Sequence, residues 1–136
     1  MPNSITYLGQ GCFWGCTSLT SITLPNTITS LQQSCFRNCR SLTSITLPNS
    51  ITRLEAYCFD GCKALISISC LAASAPTAVN LAFGHDSSSY IGSTSTDAKY
   101  LYVLSNATGY EGNTMGTGWV VLLDPTKCNF KISKTL

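Results

Sequence analysis

The chain has 136 residues, 10% of them charged, a formal net charge of +2 and 8 cysteines. That length suits one compact domain with a real core. So sparse a charge excludes the basic footprint of a nucleic-acid binder, and apolar runs of only a few residues exclude a transmembrane helix.

From Pro2 to Cys70 one pattern is written three times. Pro2 to Leu24 reads PNSITYLGQGCFWGCTSLTSITL, Pro25 to Leu47 reads PNTITSLQQSCFRNCRSLTSITL, and Pro48 to Cys70 reads PNSITRLEAYCFDGCKALISISC. Pro2, Pro25 and Pro48 set the period. It falls inside the range of roughly 20–29 residues typical of leucine-rich repeats. Five columns are apolar in every copy: Ile5, Ile28, Ile51; Leu8, Leu31, Leu54; Phe13, Phe36, Phe59; Leu19, Leu42, Leu65; and Ile22, Ile45, Ile68. A single copy has no second layer against which to bury them, so the columns must close on one another by stacking.

Within a copy, Thr20-Ser21-Ile22-Thr23-Leu24 alternates polar and apolar residues and predicts a short strand. Pro25-Asn26 predicts a turn, and Ile28 to Leu31 a second short strand. Ser34 to Cys39 has apolar residues at 35, 36 and 39, which predicts one helical turn or a short helix with Ser34 as N-cap. Stacking then places like strands side by side in parallel. Hydroxyl rows face outward: Ser21, Ser44, Ser67 and Thr23, Thr46, Ser69 on one sheet, Thr6, Thr29, Thr52 on the other. Met1 stands in the column of Leu24 and Leu47. The repeat is therefore expected either to belong to a longer solenoid or to dock on another protein at this end.

After Cys70 the period fails, with Leu71 at the place of the fourth proline. Ala82-Phe83 is a worn copy of the Cys-Phe pair, and residues 84–97 are a Ser/Gly/Thr-rich loop. Lys99 to Leu104 predicts a strand, Asn106 to Glu111 a turn or short helix, Gly118 to Leu123 an apolar run, and Cys128 to Ile132 a last strand.

The run Cys16-Thr-Ser-Leu19-Thr-Ser-Ile22-Thr-Leu24-Pro25, repeated from Cys39 to Pro48 and preceded by Phe-x-x-Cys, resembles the BspA-like (Treponema-type) leucine-rich repeats. Cys12, Cys35 and Cys58 replace the family's usual Ala before Phe. The second half is similar to the ends of such arrays at Pro76, Ala82-Phe83, Leu101-Tyr102-Val103, Tyr110 and Trp119, with Leu104 where the family has Pro. Pattern and resemblance together predict an α/β repeat: a right-handed leucine-rich-repeat solenoid of strand–turn–strand–short helix coils with a β-rich C-terminal cap. Residues 1–70 are the repeats, and 71–136 a degenerate repeat and cap. The resemblance implies a bacterial surface or secreted adhesion and binding protein, although no signal peptide is visible. The rival reading is a structural subunit docked through the open N-terminal end. Neither implies a cofactor or a nucleic-acid partner.

Six cysteines fall in two columns, 12, 35, 58 and 16, 39, 62, where packing as buried reduced thiols explains the spacing already. Bridges within a ladder are the second reading. Zinc is the third, since Cys-x-x-x-Cys lacks the usual finger spacing and a second ligand pair. Cys70 and Cys128 lie outside the columns and are the candidate disulfide. His85 is the single histidine, in Gly84-His85-Asp86-Ser87, and is expected in a solvated loop. A Cys–His dyad would need a thiol outside the ladders. The better candidate is a binding surface for a protein or glycan. Where the ladder leaves choice the copies differ most: Trp14, Arg37, Asp60 in one column, Gly11, Ser34, Tyr57 in another, Thr17, Arg40, Lys63 in a third. Aromatic and Arg side chains make typical recognition anchors. The candidate ligand-binding residues are Trp14, Arg37, Tyr57 and Asp60, with Arg53 and Tyr7 from the second-strand column.

Overall fold

The computed structural model describes residues 2–79, 81–85, 88–110, 119 and 122–136. Met1, Asp86, Ser87, Glu111, Gly118, Val120 and Val121, which enter the sequence argument, lie outside the described residues.

Seven short strands among the described residues form two parallel sheets. They are β1 (Ser30–Leu31), β2 (Ser44–Leu47), β3 (Arg53–Leu54), β4 (Ser67–Cys70), β5 (Thr77–Ala78), β6 (Tyr100–Val103) and β7 (Lys131–Ser133). One sheet runs β1-β3-β5, the other β2-β4-β6-β7. The register joins like positions of successive copies. Leu31 pairs with Leu54 and Leu54 with Ala78, while Ile45, Ile68, Leu101 and Ile132 run across the second sheet. The first copy adds only a bridge, Thr23 to Thr46. Both sheets continue past residue 70 through β5 and β6, because Thr77-Ala78 repeats the position of Arg53-Leu54 and Tyr100–Val103 that of Ser67–Cys70. The strand expected over Cys128 to Ile132 begins later, at Lys131.

The apolar columns are the core. Ile28, Leu31, Phe36, Leu42, Leu54, Phe59, Leu65 and Ile68 are fully buried, whereas Ile5, Phe13, Leu19 and Ile22 of the first copy are only partly so. The phenylalanines make one continuous stack. Ring centroids are 5.2 Å apart for Phe13–Phe36, 5.7 Å for Phe36–Phe59 and 5.9 Å for Phe59–Phe83, with planes within 5°. Trp119 and Tyr110 close it. Trp119 lies 5.3 Å from Phe83 and 5.3 Å from Tyr110, and its indole N–H donates to Pro76 O at 2.7 Å.

The segment expected to be helical is not. Residues 34–39 form turns in which alternate backbone donors leave the coil. Ser34 N–H, Phe36 N–H and Asn38 N–H donate to Ala56, Cys58 and Asp60 of the next copy at 3.0, 2.8 and 2.8 Å. Between them, Cys35, Arg37 and Cys39 donate to carbonyls three residues back. A helix would direct every N–H along its own axis; here half are used to bind one coil to the next. The alternation requires left-handed residues. Ser34 and Asn38 have φ of 60°, matched by Gly11 (64°) and Gly15 (73°) in the first copy and Tyr57 (60°) and Gly61 (79°) in the third. Ser34 is therefore not an N-cap, which needs an extended backbone.

The side-chain hydroxyls add a second set of links. Ser50 Oγ donates to Ile28 O at 2.6 Å and Thr52 Oγ1 to Thr29 O at 3.0 Å, and Thr27 Oγ1 donates to Ile5 O. Part of the hydroxyl pattern thus fastens each coil to its predecessor instead of facing water.

Candidate functional site

The turn segments of four successive coils bring together Trp14, Arg37, Tyr57, Asp60 and His85. The column relation does most of this, because residues one repeat apart become neighbours in the stack. Arg37 lies between two aromatic rings, its guanidinium carbon 5.4 Å from the Trp14 centroid and 4.7 Å from that of Tyr57. Such contacts contribute about 0.5–2 kcal/mol each, depending on exposure. Arg37 Nε is 3.0 Å from Asp60 Oδ2, an ion pair whose N–H points off the hydrogen-bond line.

Asp60 is 1% exposed, and a carboxylate so buried needs partners. Besides Arg37 it has His85, whose backbone N–H donates to Oδ1 at 3.1 Å and whose Nδ1 stands 2.8 Å away. His85 is thus not a bystander in a solvated loop. The loop is folded back onto Asp60, with 41% of the imidazole still exposed. Ser89, itself buried, completes the turn, its Oγ 3.0 Å from both His85 N and Nδ1.

Ser89, His85 and Asp60 do not form a nucleophilic triad. A relay needs the hydroxyl and the carboxylate on opposite ring nitrogens. Here both face Nδ1. Among the described residues no group of three or more His, Cys, Asp or Glu is placed to hold a metal ion.

Of the six sequence candidates, Trp14, Arg37, Tyr57 and Asp60 belong to this cluster and Arg53 and Tyr7 do not. Arg53 pairs with Glu55 two residues on, and Tyr7 is 65% exposed, resting near Gly9. His85 escapes sequence reasoning as a partner of Asp60 because it lies 25 residues on, out of step with the repeat. Backbone strain marks the same place. Tyr57, a bulky residue, is held at φ 60°. Placing such a residue in the left-handed region costs about 1–2 kcal/mol.

Cys35, Cys39, Cys58, Cys62, Cys70 and Cys128 are buried, but Cys12 is exposed and Cys16 only half-buried, so the expectation of buried thiols in both columns fails in the first copy. Each of the eight is a free thiol. Cys70 and Cys128, the candidate disulfide, have separate partners here: Cys70 Sγ accepts from Tyr110 Oη at 3.0 Å, and Cys128 Sγ points to Phe83 O at 3.6 Å. Burial pushes the Cys35 and Cys128 thiols up to about 12 and raises Cys58 and Cys70 as well. Cys62 is raised by its contact with Cys39 and by burial, while the same contact lowers Cys39. Thiols held protonated are poor nucleophiles.

A fold of parallel-stranded coils, a ladder of like residues one repeat apart and a site assembled across the turns define a repeat protein of the recognition type. A family model described as BspA type leucine rich repeat region matches residues 1–94, and the chain belongs to that family. No curated protein matches the chain. No solved structure matches it either. The matched span reaches beyond the third copy and takes in Ala82, Phe83 and His85 of the fourth coil. Among the described residues no helix is long and apolar enough to cross a membrane.

Proposed function

We propose that this chain is a non-enzymatic binding module of a bacterial surface or secreted adhesion protein. Residues 1–70 form the recognition surface of a right-handed solenoid, and residues 71–136 close its end. The observation that carries the reading is the Trp14–Arg37–Tyr57 stack held from below by buried Asp60. A repeat interaction protein needs rigid aromatic and Arg anchors on a fixed scaffold. Here the anchors are fixed by neighbours on three coils, so little side-chain entropy remains to be lost on binding. The burial of six of the eight thiols and the arrangement about His85 Nδ1 both weigh against catalysis by this surface.

The test is binding of the purified chain to immobilised extracellular-matrix proteins and to a glycan array. Trp14→Ala and Arg37→Lys are expected to weaken the strongest interaction at least tenfold, a loss of one hot-spot contact, with thermal melting little changed. Undiminished binding by both variants would refute the placement of the surface.

A further inference from the structure

The cluster has one chemical property that narrows its ligand. The guanidinium of Arg37 lies over the Trp14 ring and over the Tyr57 ring, and its Nε is 3.0 Å from Asp60 Oδ2. Its two Nη groups are the donors left for a ligand. The flanking groups are donors too. Among the described residues no protein hydrogen bond occupies the Trp14 indole N–H or the Tyr57 hydroxyl. The surrounding charge has the same sense. Arg40 is exposed and Lys63 half-buried, in adjacent coils three residues beyond Arg37 and Asp60, and neither forms an ion pair among the described residues. The one acidic group in the cluster, Asp60, is buried and already held by Arg37 and His85. A planar fork of donors whose one acidic neighbour is already buried and paired fits a carboxylate.

Shape narrows it further. Trp14 is 56% exposed and stands between Gly11 and Gly15, neither of which has a side chain to wall it in. A Cβ at Gly15 would meet nothing within 4 Å. The part of the indole that does not face Arg37 is therefore an exposed apolar surface beside a carboxylate fork. We propose that this site binds an acidic sugar, a pyranose ring that lies on Trp14 and places its carboxylate on the Nη edge of Arg37. The inference rests on the recognition reading given above and adds the ligand's chemistry to it.

The experiment titrates the folded chain with N-acetylneuraminic acid and galacturonic acid, with galactose as the neutral counterpart and a short poly-glutamate peptide as the non-sugar acid, followed by Trp fluorescence and NMR shifts. Saturable binding of at least one acidic sugar, at least tenfold tighter than galactose, is expected. It weakens as salt rises from about 50 to about 500 mM, as exposed charge pairs do. Arg37→Lys keeps the charge but loses the fork and is expected to reduce affinity about tenfold. Trp14→Ala is expected to do the same, and Lys131→Ala on β7 to change nothing. Equal binding of galactose, preference for poly-glutamate, indifference to Arg37→Lys, or no saturable binding would each overturn the proposal. Matrix-protein binding that depends on Trp14 without any acidic-sugar binding overturns this inference alone. Loss of both refutes the recognition surface itself.

Discussion

Removing one ring from the phenylalanine stack tests the architecture most directly, because the cost should depend on position along the stack and not on residue type. Phe36 is fully buried, with Phe13 5.2 Å away on one face and Phe59 5.7 Å away on the other. A buried aromatic side chain covers about 200 Å². At about 25 cal/mol per Å² that is about 5 kcal/mol, and Phe→Ala changes in cores cost about 3–5 kcal/mol. Phe13 is half-buried and has a ring partner on one side alone. Phe13→Ala should therefore cost about half as much, roughly 2 kcal/mol. Urea unfolding of both variants at unchanged m-value gives the two numbers. Phe36→Leu, which keeps most of the volume, should cost about 1–1.5 kcal/mol and guards against the Ala variant failing to fold. Equal losses at positions 13 and 36, or a loss under about 1 kcal/mol for Phe36→Ala, would refute the idea that stacked coils carry the stability.

Two further outcomes follow from the turns and the thiols. Gly15→Ala and Gly61→Ala both place a Cβ at positive φ, costing about 1 kcal/mol. The new methyl at 61 would also overlap Asn38 Oδ1, while that at 15 meets open space. Thermal unfolding should rank Gly61→Ala as clearly the worse, and equal melting temperatures would contradict the coil-to-coil packing of the turn. For the thiols the sign is fixed by burial. Cys35 and Cys128 start to ionise near 9 when unfolded but only at about 12 when folded, so the unfolded chain holds fewer protons in between. Stability is then fully present below the unfolded value and falls above it, by up to about 1.4 kcal/mol per pH unit per thiol. Denaturation midpoints measured from pH 8 to 11 should drop steeply, and a flat profile would show these thiols to be accessible.

The ladder is plain in the sequence because burial repeats at the period of the chain. Ile45 over Ile68 and Phe36 over Phe59 follow from a one-repeat offset alone, and the worn pair Ala82-Phe83 still takes its place against Phe59. The turn misleads for a physical reason. Apolar residues at 35, 36 and 39 fit a helical face. The contrary signal, left-handed residues in two columns, is legible at Gly11, Gly15, Gly61 and Asn38 but hidden at Ser34 and Tyr57, residue types that rarely adopt that conformation. The partnership of His85 with Asp60 is hidden differently. In the fourth coil the step is no longer one repeat: Leu54 pairs with Ala78, Phe59 stacks on Phe83, and His85 lies 25 residues beyond Asp60, so the repeat offset does not locate residue 85. Four of the six proposed contact residues are nonetheless readable as a group, because positions the core does not use are the ones where copies are free to differ.

That freedom explains why the cluster has the composition it has. Trp14, Arg37, Asp60 and His85 come one from each of four coils, and each satisfies its neighbour: ring on cation, cation on carboxylate, carboxylate on imidazole and amide N–H. Asp60 can be buried only because Arg37 precedes it and the lengthened fourth coil folds His85 over it, since a lone buried carboxylate would be driven to neutralise. Three identical coils would stack like charges in one column and repel. The ladder therefore demands sameness inside and complementarity outside. A site of unlike side chains follows from the second demand, at a face where the turn backbone has already committed alternate donors to the next coil.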